Sequence, residues 1–130
     1  MLFYKETCEI KPHVNQFEMH PLLPQTELVK FCQDHDILVV SYSTLGCGHL
    51  SKHPKINSIA KSLGISSAQV LLSWARSKGV AVIPKSVHKE RIIENINCDT
   101  ILPIDAILTI DNLAHSEGET RYCWDPTYIR

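Results

Sequence analysis

Short apolar runs alternate with helical patterns along this chain, and no other feature limits its fold as strongly. His13 to Glu18 (HVNQFE) reads as a first strand, with Val14 and Phe17 among polar neighbours. From about Thr26, Leu28, Phe31 and Cys32 recur at helical spacing. Ile37 to Ser43 (ILVVSYS) opens as the continuous apolar run of a strand buried on both faces. His53-Pro54 starts a helix that carries Ile56, Ile59, Ala60 and Leu63 on one stripe and stops at Gly64. Ser66 to Gln69 has the form of a capping box, and Val70, Leu71, Trp74 and Ala75 are the apolar stripe of the helix it opens. Val80 to Pro84 is a third strand, and helices over about 89–96 and 104–114 follow. Strands separated by helices argue for βα units and a parallel sheet, hence an α/β fold. Three parallel strands would leave two edges unpaired and a face uncovered, so the chain reads as a piece of something larger.

Composition acts mainly by exclusion. The 130 residues suit one domain, and no repeat or linker divides them. A net charge of -1 supplies no basic field for nucleic acid or an anionic membrane. Runs such as Ile37-Leu38-Val39-Val40 are too short to span a bilayer, and MLFYKETCEI lacks the features of a secretory signal. Five cysteines, widely spaced and without a CxxC pair, read as reduced thiols in a cytoplasmic protein. Cys47, His49 and His53 are the best metal candidates, yet their spacing fits no common zinc pattern, and a solvated loop without metal is the expectation.

Ligands of α/β folds bind where strands end and helices begin, and helix N-termini favour phosphate. The three strand ends here are all polar: Gln16 and Glu18, then Tyr42 and Ser43, then Lys85 and Ser86. A lysine beside a serine suits a phosphate, and the guanidinium of Arg91 could reach the same anion as a fork of donors. The alternative is a basic helix start paired on the surface with Glu90 and Glu94. Residue types alone leave both open.

The stretch AVIPKSVHKERIIEN (81–95) resembles the cofactor segment of the aldo-keto reductases, an apolar strand followed by I-P-K-S and a helix carrying R-x-x-E-N. VNQFEMHP resembles that family's V-N-Q-x-E-x-H-P, SYSTLG its Y-S-P-L-G, and AQVLLSWA its A-Q-V-x-L-x-W helix, all in the family's order. The likeness runs from about Lys11 to Asp111, and more weakly into the tail. It implies a partial (β/α)8 TIM barrel: the last three βα units, a C-terminal helix and a tail. It also implies NADP(H) as cofactor and small aldehydes or ketones as substrates. On that resemblance Lys85, Ser86 and Arg91 would hold the 2′-phosphate, Val87 would touch the same region, and Glu94 and Asn95 would contact the adenine. Gln16 would bind the nicotinamide carboxamide, Tyr42 would stack on the nicotinamide ring, and Ser43, Leu45 and Cys47 would line the pyrophosphate. His20 would be structural.

Two departures stand out. Thr44 replaces the usual proline, which would free the strand-end loop, and the short 46–53 loop predicts quick cofactor exchange. Barrels of this kind need about 250 residues. Residues 1–12 look like the remnant of a preceding helix, and 115–130 like a C-terminal surface loop in which Trp124 and Tyr128 are candidate pocket neighbours. The family's catalytic aspartate, tyrosine, lysine and histidine have no counterpart in the matched motifs, so no catalytic residue is assigned. Two expectations follow: an aldo-keto reductase carrying its cofactor half, inactive alone, or a shortened remnant that only binds a dinucleotide or another protein. The complete fold would be a monomer, whereas open edges would let a three-strand piece self-associate.

Overall fold

The structure, a computed structural model, describes residues 9–126. Three strands, β1 (Val14–Glu18), β2 (Leu38–Tyr42) and β3 (Ala81–Val82), form one parallel sheet in the order β1-β2-β3. Between and after them run α1 (Thr26–Asp34), α2 (Pro54–Leu63), α3 (Ser67–Ser77), α4 (Lys89–Ile96), α5 (Ile104–Asp111) and α6 (Leu113–Glu117). Two 3₁₀ turns, Gly46–Gly48 and Leu50–Lys52, connect β2 to α2.

The register pairs Val14 with Leu38, Gln16 with Val40, and Glu18 with Tyr42. Side chains alternate across a sheet, so these six share one face, while Phe17, Val39 and Ser41 point to the other. Helices cover the second face. Phe17 and Val39 join Ile56, Val70, Leu71, Trp74, Ile110 and Leu113 in one buried cluster. The first face is bare toward its N-terminal end, where Val14 and Leu38 are about half exposed.

Local chemistry fixes the helix ends. Ser66 Oγ accepts the Gln69 backbone N–H at 3.2 Å, and the Gln69 side chain accepts the Ser66 N–H at 3.0 Å, so the capping box is complete. His53 caps α2 by accepting the Lys55 N–H at Nδ1, while its Nε2 meets Glu117 at 2.9 Å and ties α6 down. That hydrogen bond, more than solvent contact, holds the Glu117 carboxyl below its ordinary range.

Four expectations need correction. The last helix breaks at Asn112 into α5 and α6, and Asp111 just before the break is held by Trp74 Nε1 at 2.7 Å and by Lys78. Leu113, just after it, is fully buried in the core. β3 shrinks to two residues, since Ile83 is half exposed and Pro84 has no N–H to give a ladder. Residues 9–12 form a bend and extended chain rather than a helix, and the rest of the expected helical remnant lies outside the described residues. Thr44 is not a loosened substitute for proline: it is buried, and its Oγ1 hydrogen-bonds Ser41 Oγ at 2.6 Å.

Candidate functional site

The strand ends converge on three adjoining surfaces. The sheet's exposed face carries Gln16 and, one paired step further along, Tyr42, whose phenol burial pushes above its ordinary value. The turn after β2 is the second. Ser43, Gly46 and Cys47 all have left-handed backbones, with φ of 52°, 56° and 52°, and the Ser43 carbonyl accepts the Gly46 N–H at 2.7 Å. Such a turn folds the chain back sharply, leaving Cys47 exposed and Ser43 partly buried with its hydroxyl against the Cys123 sulfur. Leu45 instead packs inward against the core.

The third surface is a cavity of about 560 Å³ at the start of α4, lined by Lys85, Ser86, Arg91, Glu94 and Asn95 together with Cys47. Six residues singled out from the sequence therefore meet in one place. Val87 is not among its walls and stands 75% exposed. Lys85 and Arg91 have no ion-pair or hydrogen-bond partner among the described residues, so the surface pairing with Glu90 or Glu94 does not form. Ser86 Oγ accepts the His88 N–H at 3.1 Å and shapes the entry to α4. His88, the N-cap residue, makes no side-chain cap, which leaves the helix's first N–H groups free. Two uncompensated cations beside an uncapped helix start suit a phosphate monoester, and an amide and a carboxylate deeper in the cavity suit an adenine edge.

His49, Ser51, Lys52, Ser66 and Ser67 line the same cavity and were not assigned to a cofactor from the sequence, where His49 was read as a metal candidate and Ser66 as a helix cap. Ser66 and Ser67 mark a second helix start, which was the available signal. Lys52 gave none, because its approach depends on how the 3₁₀ turns close.

The tail is the larger surprise. Instead of lying loose, residues 121–123 dock on β1. The Glu18 carboxylate, fully buried, accepts the Tyr122 N–H at 2.7 Å, the Cys123 N–H at 3.1 Å and the Arg121 guanidinium at 3.2 Å. His20 adds a fourth contact at 3.1 Å, with its pKa held below the ordinary 6.5 by burial, so the neutral ring donates through Nε2. Tyr122 stacks on His49 with ring centres 5.2 Å apart. Trp124 is 64% exposed, and Tyr128 lies outside the described residues. No group of three or more His, Cys, Asp or Glu among the described residues is arranged to hold a metal ion.

The model of the aldo/keto reductase family matches residues 1–115. The chain belongs to that family. It is 42% identical over 115 residues to aldehyde reductase YPR1 of Saccharomyces cerevisiae, covering 87% of this chain and 36% of that one. It is 39% identical over 123 residues to the glycerol 2-dehydrogenase (NADP(+)) of the same yeast, covering 91% of this chain and 39% of that one. The solved structure of a Gox0644 variant in complex with NADPH superposes with a TM-score of 0.88 at 32% identity, over 99% of this chain and 47% of the other. This aldo/keto reductase chain thus spans less than half the length of these relatives, and its three parallel strands correspond to part of their barrel. Among the described residues, no helix is long and apolar enough to cross a membrane.

Proposed function

We propose that this chain carries the NADP(H)-binding part of a reductase that converts small aldehydes or ketones to alcohols. The observation that supports it most is the pair of cations, Lys85 and Arg91, lining one cavity with neither side chain in an ion pair among the described residues, not even with Glu94 in the same wall. Both side chains are exposed and free to reach an incoming anion, and a 2′-phosphate brings two negative charges with acceptor oxygens for both. In this reading Ser86 adds a hydroxyl to the same phosphate, Val87 covers it from outside, and Glu94 and Asn95 take the adenine. Ser43 and Cys47 follow the pyrophosphate along the turn, with Leu45 packed inward beneath them. Gln16 orients the carboxamide, and Tyr42 presents its ring to the nicotinamide and decides which face is open to substrate. The bound nicotinamide supplies the hydride that reduces the carbonyl carbon. The proton comes from the family's tyrosine, which has no counterpart in the motifs matched here, so turnover requires a complete barrel around this segment.

The test is cofactor discrimination. Lys85→Met removes one charge-assisted contact, worth roughly 1.5–3 kcal/mol, and should weaken NADPH by about 10- to 100-fold while changing NADH little. Equal losses for both cofactors, read by fluorescence titration, would refute the assignment.

A further inference from the structure

Two of the cysteines meet at a single hydroxyl. Cys123 Sγ lies 3.1 Å from Ser43 Oγ, and Cys47 Sγ lies 3.8 Å from the same atom. One thiol belongs to the turn after β2 and the other to the C-terminal tail, 76 positions later in the chain. We propose that Cys47 and Cys123 are a redox pair, closing into a disulfide that staples the tail across the turn.

The surroundings support this in three ways. The tail is held in place independently of the sulfurs, by the Tyr122 and Cys123 N–H groups on buried Glu18. Tyr122 also presses so closely on Gly46 that a Cβ there would come within 2.8 Å of its Cε2. The cysteine is therefore delivered to its partner by ordered neighbours rather than by chance encounter. Next, Cys47 is exposed and Cys123 only partly buried, whereas Cys32 and Cys98 are buried, so among the described cysteines this pair meets an external oxidant first. Lastly, the Ser43 hydrogen bond favours the Cys123 thiolate, but burial and the charge of Glu18 outweigh it and raise the pKa. That suits a resolving thiol, with exposed Cys47 attacking first.

The oxidant is a low-molecular-weight disulfide. The Cys47 thiolate attacks one of its sulfurs, forming a mixed disulfide and releasing one thiolate, which takes up a proton. The Cys123 thiolate then attacks the Cys47 sulfur and expels the second thiolate, which is protonated in turn. Two protein thiols lose two electrons and two protons, and the oxidant becomes two thiols. The staple withdraws Cys47 and Ser43 from the pyrophosphate path, a consequence that rests on the cofactor reading above.

The experiment incubates the purified chain with oxidised glutathione, then maps disulfides by proteolysis and mass spectrometry. A peptide pair joined through Cys47 and Cys123, absent from Cys123→Ser, is the expected result. Only glutathione adducts, a different pairing or unmodified thiols would overturn the proposal. NADPH titration of the reduced and oxidised chain separates the two readings. The oxidised form should bind at least about tenfold more weakly, reversibly with dithiothreitol. A cross-link in a chain that never binds NADPH would sink the cofactor reading and leave the redox pair standing. NADPH binding with no cross-link would do the reverse, and equal binding by both forms would refute the closing effect.

Discussion

Glu18 shows how much a single residue can organise. It sits at the end of β1, fully buried, and its carboxylate gathers a histidine, a guanidinium and two backbone N–H groups that the chain would otherwise have to bury unpaired. Removing one member of a buried charged network costs about 3–5 kcal/mol, so Glu18→Ala should lower the urea midpoint substantially and release the tail. A change within the ordinary surface range, about 0.5 kcal/mol, would contradict this account. His20 beside it titrates in the opposite sense to a salt-bridged histidine. Burial lowers its folded pKa below the unfolded 6.5, so the unfolded chain binds more protons just under that pH. Stability should therefore be flat above 6.5 and decline as pH falls from 6.5 toward about 5, before most carboxylates titrate. Thermal melts across that window should show the slope, and His20→Asn should remove it; an unchanged slope in the variant would point to another group. The strand-end residues Lys85, Ser86 and Arg91 were legible because position along a strand–helix junction is itself a signal. Glu18's partners were not, since more than 100 positions separate it from Arg121 and no local pattern records such a pairing.

At the scale of elements, the turn after β2 joins cofactor site and tail. Gly46 holds φ +56°, and an added Cβ would meet Leu50 Cγ at 2.7 Å and Tyr122 Cε2 at 2.8 Å. Gly46→Ala should thus displace Tyr122 and destabilise the chain by roughly 1–3 kcal/mol. Faster tryptic cleavage after Arg121 would report the freed tail, and cleavage at the wild-type rate would contradict the docking. The α2 and α3 boundaries were readable from proline, serine and glycine, because caps are local chemistry satisfied within three or four residues. The break at Asn112 and the short β3 were not readable. Each involves a distant element: Trp74 and Lys78 hold Asp111, and among the described residues β3 pairs with β2 alone.

For the whole molecule, the sheet is finished on one side only. Helices seal Phe17 and Val39, while Val14, Leu38 and Ile83 stay about half exposed. Such a surface belongs inside a closed barrel, in keeping with a chain that covers 36% to 47% of its relatives' lengths. The parallel βα architecture was legible from alternation alone, but the docking of the tail on the C-terminal end of β1 was not, because those residues lack periodicity. Every residue proposed for the phosphate and adenine lies between Lys85 and Asn95, within this segment. The most direct test uses the adenosine half of the cofactor alone, comparing 2′,5′-ADP with 5′-AMP by calorimetry on the purified chain. The account predicts that 2′,5′-ADP binds at least about tenfold tighter and that added salt narrows the gap. Equal affinities, or no binding of either, would contradict it.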